Sequence, residues 1–135
     1  MYAVAIRRAI DGASRDEALD PATLRAHGGE LPASIAFIVD GSYREKAESA
    51  IRSGGYVVES LEAALWCVWR AESFEEAVLL AANLGHDADT TAAIAGQLAG
   101  ALWGEAGIPA GWLAKLHRRD DLRALADGLV ALGLP

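Results

Sequence analysis

Cysteine is nearly absent from this chain, and so is any recognisable targeting segment. Cys67 is the single cysteine among 135 residues, so no disulfide can form within the chain. A chain without disulfides is compatible with a reducing compartment. The N-terminus, from Met1 to Arg8, lacks the layered charged and apolar layout of a signal peptide. These two absences together predict a cytoplasmic protein.

Long hydrophobic runs are also missing. The most apolar stretch, Thr90 to Gly104, contains Gln97 and falls short of the roughly 20 residues that a membrane-spanning helix needs. We therefore expect no membrane partner. Within this stretch Gly96 and Gly100 recur at a four-residue interval, a spacing that in a soluble protein indicates close packing of one helix on another.

Positive charge is scarce relative to negative charge. Twelve Lys and Arg residues face nineteen Asp and Glu residues, which gives a formal net charge of −7. This balance argues against nonspecific binding to nucleic acid. An anionic ligand would instead need a bound metal or the N-terminus of a helix.

The composition indicates one globular, helical domain. Hydrophobic residues make up 53% of the chain and charged residues 23%, with Ala and Leu dominant and β-branched residues few. No linker, repeat or low-complexity segment divides residues 1–135. We expect helices over Tyr2–Asp11, from Ser14, over Tyr43–Ser53, Val57–Ala71 and Phe74–Ala82, from Asp89 or Thr90 to about Gly104, over Pro109–Leu116, and from Asp120 or Asp121 to about Leu132.

Three further local expectations complete the pattern. The segment Pro21–Pro32 is predicted to be a loop, and Ala33–Val39 could be helix or strand. Ser14 with Glu17 has the spacing of a capping box. Cys67, which lies in an apolar helix with no basic neighbour, is predicted to be a buried and unreactive thiol.

Two carboxylates and two hydroxyls are crowded into the run from Asp87 to Thr91. Close carboxylates repel each other unless a cation lies between them, and oxygen ligands suit hard cations such as Mg²⁺ or Mn²⁺. The alternative is helix capping, since Asp and Thr are favoured at helix starts. Spacing alone leaves both interpretations open. His86, just before the run, is more simply a surface turn residue than a metal ligand.

The sequence surrounding these acids resembles the ADP-ribosylglycohydrolase family, which includes dinitrogenase-reductase-activating glycohydrolase. Residues 83–101, NLGHDADTTAAIAGQLAGA, are similar to the C-terminal signature of that family, and residues 53–66, SGGYVVESLEAALW, to the block before it. Residues 108–113 and 122–129 resemble its closing segments. The resemblance covers most of residues 43–132 and, more weakly, residues 2–12.

The resemblance implies a fold, a metal centre and a reaction. The fold would be an all-α, Ala- and Gly-rich orthogonal bundle with two Mg²⁺ or Mn²⁺ ions at its centre. Asp87, Asp89 and Thr90 would be metal ligands, and Asp89 would bridge the ions. The activity would be hydrolysis of the bond between ADP-ribose and a protein side chain or small acceptor.

The resemblance also implies a substrate-binding role for the Gly55, Tyr56 and Gly85 positions. Tyr56 follows a flexible Gly-Gly junction and could line an ADP-ribose pocket. Its alternative is an aromatic side chain packed on the core.

The chain departs from the family in lacking its N-terminal half. That half carries a Gly-rich opening with an acidic residue and a Thr-Asp-Asp-type cluster, which supply the other metal ligands and the catalytic acid. The catalytic residue is therefore unknown in this chain. We expect a single partial domain over residues 1–135: a fragment, one half of a split enzyme, or a non-catalytic helical assembly module. Helices that lack their packing partners should self-associate or pair with a complementing half.

Overall fold

The computed structural model describes residues 1–133, and its regular structure is helical throughout that range. The helices are α1 Tyr2–Ile10, α2 Arg15–Ala18, α3 Pro21–Ala26, α4 Ala33–Val39, α5 Val57–Arg70, α6 Phe74–Asn83, α7 Ala88–Trp103, α8 Ala110–Leu113 and α9 Arg119–Ala131, with short 3₁₀ turns at Ser42–Glu45, Glu48–Ala50 and Glu105–Gly107. The predicted all-α fold is confirmed, and Ala33–Val39 is helix rather than strand.

Side-chain caps explain where two of the helices begin. The Ser14 hydroxyl accepts a hydrogen bond from the Glu17 amide, and the Glu17 carboxylate accepts one from the Ser14 amide at 2.8 Å. The predicted capping box is therefore confirmed. At α6 the Ser73 hydroxyl accepts from the Glu76 amide at 3.1 Å. These bonds satisfy amides that the first turn of a helix otherwise leaves without partners.

The loop predicted over Pro21–Pro32 is wrong in its first half, where α3 forms. Asp20 precedes the helix, and its carboxylate accepts from the Thr23 amide at 2.8 Å. Pro21 sits at the first helical position, where its missing N–H costs nothing. The Asp-Pro pair is thus a helix start signal.

The helix predicted over Tyr43–Ser53 is also wrong, because two 3₁₀ turns separated by extended backbone occupy this segment. Lys46 adopts an extended conformation, with φ −70° and ψ 137°. Its carbonyl accepts hydrogen bonds from the Trp66 indole at 2.9 Å and from Arg70 at 3.0 Å. A carbonyl used in this way by α5 is not available to a helix in its own segment. A long-range contact has overridden local helix propensity.

The core is built around α7, which packs against α1, α5 and α6. Fully buried alanines line the meeting faces of α6 and α7: Ala77, Ala81, Ala95 and Ala99. A Cβ added at Gly96 would lie 3.8 Å from Val78 Cγ2, so the helices are already in van der Waals contact there. The close helix packing predicted from the glycine spacing is confirmed.

Cys67 lies in the last turn of α5 and is fully buried, as predicted. Burial raises the pKa of its thiol to about 12, with a smaller contribution from the negative charge of Glu48. A thiol with so high a pKa holds its proton at neutral pH and is a poor nucleophile.

The last helix, α9, projects an apolar face to solvent. Leu122, Leu125, Leu129 and Val130 are all at least half exposed. Glu105 anchors the helix through ion pairs with Arg119 at 3.0 Å and Arg123 at 2.7 Å. The exposed apolar surface expected for a partial domain is therefore present. Between Met1 and Gly133, none of the helices has the length and apolar character needed to cross a membrane.

Truncation of one side chain in the core and one in α9 should have very different effects on stability. Leu98 is completely buried in α7, so Leu98→Ala should lower the free energy of unfolding by about 2–5 kcal/mol. Leu125 is 66% exposed, so Leu125→Ala should change it by less than about 0.5 kcal/mol. Urea denaturation measures both. Equal losses for the two variants would contradict this assignment of the core.

Glu105 should control how firmly α9 is attached. The side-chain hydrogen bonds from Arg123 and Arg119 lower the pKa of Glu105. The stabilisation of α9 by these ion pairs should be complete above the ordinary carboxyl pKa. It should be lost as the pH falls through the lowered pKa that Glu105 has in the folded chain. Glu105→Gln should speed amide hydrogen exchange in α9 at neutral pH, whereas the exposed control Glu75→Gln should not. Unchanged α9 exchange in Glu105→Gln would show that other contacts hold the helix.

Candidate functional site

The candidate site lies at the start of α7, where a tight turn connects it to α6. The turn contains two consecutive residues in the left-handed region, Gly85 at φ +77° and His86 at φ 53°. Glycine adopts this conformation freely, whereas a histidine there carries some strain. His86 is exposed to solvent, so the predicted surface turn is confirmed.

Asp87 occupies the N-cap position of α7, but its side chain accepts no capping hydrogen bond. The expectation that Asp89 or Thr90 caps this helix is therefore wrong. The backbone carbonyl of Asp87 is held by Thr91, which donates its amide and its hydroxyl, each at 3.1 Å. The backbone is thus fixed by Thr91, while the Asp87 carboxylate makes no capping bond to the helix backbone. This geometry weighs against capping as the role of Asp87.

Asp89 lies in the first turn of α7, beside the Asp87 side chain. The interaction with the Asp87 side chain, followed by those with the amides of Thr90 and of Asp89 itself, lowers the pKa of Asp89. Thr90 is exposed beside it. The structure therefore brings together all three of the predicted ligands. A negative charge in the first turn of a helix is also favoured by the helix dipole, which accounts for one carboxylate but not for the pair.

The Gly-Gly junction before α5 lies beside the Asp87 carboxylate. A Cβ added at Gly55 would lie 3.6 Å from Asp87 Oδ2, so the backbone of this turn passes close to the acid. Tyr56 is the N-cap residue of α5 and is 61% exposed. The alternative that Tyr56 packs on the core is therefore wrong. Gly85 lies on the other turn, so the predicted substrate-binding residues occupy the two turns that meet at the site.

A cleft of about 420 Å³ borders the same two turns. Two of its side chains, Arg52 and His86, can carry positive charge, and one, Glu59, carries negative charge. Its lining is made up of Ser49, Ile51, Arg52, Ser53, Gly54, Glu59, Leu84 and His86. No role was predicted for Arg52, Ser53 or Glu59, although Ser53 and Glu59 lie within the block, residues 53–66, that resembles the family.

The donor chemistry of the site fits part of a hard-cation centre. Carboxylate oxygens from Asp87 and Asp89, with the Thr90 hydroxyl, are the ligand types that Mg²⁺ and Mn²⁺ accept. Over residues 1–133, no cluster of three or more His, Cys, Asp or Glu side chains is positioned to hold a metal. These residues therefore fit one side of a coordination shell, and the remaining ligands must come from water, substrate or other protein groups.

Comparison with known proteins decides the family. The model of the family described as ADP-ribosylglycohydrolase matches residues 1–134. The chain belongs to this family. It is 48% identical to the ADP-ribosylarginine hydrolase Tri1 of Serratia proteamaculans (strain 568) over 120 residues, which are 89% of this chain and 31% of that protein.

Two further relatives support the assignment to the ADP-ribosylglycohydrolases. The ADP-ribosyl-[dinitrogen reductase] glycohydrolase of Rhodospirillum rubrum is 39% identical over 83 residues, covering 60% of this chain and 28% of that protein. A solved structure described as an ADP-ribosylglycohydrolase-related protein complex superposes with a TM-score of 0.81 at 40% identity. The match covers 93% of this chain and 42% of the solved one. The chain spans about a third of the length of the ADP-ribosylarginine hydrolases that it matches.

Substitutions at two glycines should have opposite effects on stability. Gly85→Ala places a side chain at φ +77° and should destabilise the fold by about 1–2 kcal/mol. Gly111→Ala, within α8 and with open space around its Cβ, should stabilise it by about 0.5–1 kcal/mol. Thermal unfolding of the two variants checks both signs. A neutral Gly85→Ala would mean that the turn does not need its left-handed conformation.

Proposed function

We propose that this chain forms the C-terminal, metal-binding side of a hydrolase that removes ADP-ribose from a modified protein side chain. The single observation that carries the proposal is the state of Asp87. It occupies a helix N-cap position without capping, and its carboxylate contacts that of Asp89. Family membership and the names of the relatives, which act on ADP-ribosylarginine and ADP-ribosylated dinitrogen reductase, support the reaction class.

We propose that Asp87, Asp89 and Thr90 would hold Mg²⁺ or Mn²⁺, of which the complete site would take two ions. When bound, such ions orient the ribose hydroxyls and polarise the reacting centre or a water. The residues of this chain would hold the oxygen ligands on the first turn of α7, and the remainder of that helix is packed into the core.

The two turns beside the acids are proposed to receive the substrate. Glycine at position 55 allows the backbone to approach a ligand closely, since no side chain intervenes. The exposed ring of Tyr56 and the open surface at Gly85 continue this face. Arg52 in the adjoining cleft supplies a positive charge that an anionic ligand needs near so acidic a site.

The remaining ligands and the catalytic acid are proposed to come from a complementing N-terminal half, or from self-association that serves the same purpose. The lack of a third acidic, His or Cys ligand near Asp87 among residues 1–133 supports this division. The exposed apolar face of α9 is consistent with docking of another chain. The same observations favour one alternative, a non-catalytic helical assembly module that keeps the family fold.

Metal binding can be tested with an isosteric substitution. Asp89→Asn keeps the side-chain shape but removes a charged ligand, so it should weaken Mn²⁺ binding at least tenfold in calorimetric titrations. Asp120→Asn, which changes an exposed acid in the first turn of α9, should bind Mn²⁺ as the unmodified chain does. Heat of equal size from both variants would contradict the assignment of Asp89. No heat from the unmodified chain would favour the assembly module.

Activity should depend on a complementing chain. The purified chain alone should release little ADP-ribose from an ADP-ribosylated arginine substrate in the presence of Mg²⁺, because it carries part of the ligand set. Addition of a chain carrying the N-terminal half of the family fold should raise the release rate, and Asp89→Asn should abolish the increase. Rapid Mg²⁺-dependent release by the purified chain alone would contradict the division of the site.

A further inference from the structure

Three aliphatic hydroxyl groups are buried within residues 1–133, and all three lie at the candidate site. Ser53, Ser60 and Thr91 are each at most 2% exposed, and no charged side chain in this range is as deeply buried. Elsewhere the core is apolar, and alanine is its commonest residue, followed by leucine and the aromatic residues. Burial of a hydroxyl costs free energy unless a hydrogen bond compensates it. The concentration of such groups at one place therefore calls for a local reason.

Ser53 ties together both ends of the strained turn before α7. Its hydroxyl donates to the Gly85 carbonyl at 2.9 Å, with the Leu84 carbonyl further away at 3.4 Å. Its own carbonyl accepts from the Asp87 amide at 3.0 Å. One residue thus holds the chain immediately before and immediately after His86. A non-glycine residue with positive φ persists only where its surroundings fix the backbone.

Ser60 has the corresponding role at the other turn. Its hydroxyl donates to the Gly54 carbonyl at 2.8 Å, with the Tyr56 carbonyl at 3.3 Å. Because Ser60 lies in the first turns of α5, this bond fixes the Gly54–Tyr56 segment to the start of that helix. The segment in turn passes beside the Asp87 carboxylate at Gly55. Ser53 therefore joins the two turns to each other, and Ser60 fixes the Gly54–Tyr56 turn to α5.

We propose that Ser53, supported by Ser60, is a positioning residue that sets the orientation of Asp87 toward its cation. The inference rests on the proposed function, in which Asp87 is a metal ligand. Ser53 touches neither the cation nor the substrate in this scheme. It acts through the Gly85 carbonyl and the Asp87 amide. Groups that orient a metal ligand through hydrogen bonds, without touching the metal, typically contribute about 10–100-fold to metal affinity.

The test compares Ser53→Ala with Ser73→Ala, a matched control. Ser73 caps the start of α6, at the opposite end of that helix from the turn, so its substitution removes a capping hydrogen bond without touching the site. Ser60→Ala removes the hydroxyl of the other buried serine at the site. Amide hydrogen exchange and Mn²⁺-induced broadening of amide signals are measured by NMR on the isotope-labelled chain.

Ser53→Ala should speed exchange of the Asp87 amide at least tenfold relative to core amides of α5, and should weaken Mn²⁺ broadening near Asp87 at least tenfold. Ser60→Ala should weaken the broadening to a smaller extent, and Ser73→Ala should change neither quantity. Asp87 exchange that is the same in Ser53→Ala and Ser73→Ala would overturn the proposal. So would Mn²⁺ affinity that is unchanged in Ser53→Ala.

The two measurements separate this proposal from the one on which it rests. If the unmodified chain shows no Mn²⁺ broadening near Asp87, the proposed metal site fails. The exchange measurement then still decides whether Ser53 fixes the turn. If the unmodified chain binds Mn²⁺ and Ser53→Ala binds it equally well, the metal site stands and the positioning role is wrong.

Discussion

The close approach of α7 to α5 and α6 is the constraint on which the rest of this structure depends. Alanines and glycines on the meeting faces allow backbones to come near each other, and each added carbon would meet a neighbour. This packing brings the start of α7 beside the start of α5. Two turns far apart in sequence then share one surface, and Asp87 on one turn lies beside Gly55 on the other.

The site differs from the core in the kind of interaction that holds it. The core is stabilised by burial of small and aliphatic side chains, whereas the turns are held by hydrogen bonds from buried hydroxyls to carbonyls. Hydrogen bonds are directional, so they can fix the orientation of Asp87 in a way that apolar packing cannot. The charged groups themselves remain at the rim, where solvent or a ligand can reach them. The fold therefore does not depend on neutralising Asp87 and Asp89.

The sequence predicts those features whose cause is local. The capping box of Ser14 and Glu17 involves residues three apart, and the acids from Asp87 to Thr90 are contiguous, so both could be found without knowledge of the fold. The segment after Tyr43 could not, because the Trp66 indole that engages Lys46 lies 20 residues away. The Ser53 contact with Gly85 spans 32 residues. A serine beside two glycines has no local signal that distinguishes it from an ordinary loop residue.

An incomplete ligand set has a thermodynamic consequence for the proposed assembly. If Asp87 and Asp89 supply one side of a cation site and another protein segment supplies the other, cation binding and docking of that segment must be coupled. By thermodynamic linkage each would then raise the affinity of the chain for the other by the same factor, because the bound cation would offset the negative charge of the carboxylates that the docking segment meets. The two turns, held in place before either arrives, reduce the ordering that each binding event requires. In the proposed scheme, turns that are already fixed and a partial ligand set would act together, because the chain would present its ligands in place for a docking segment to complete.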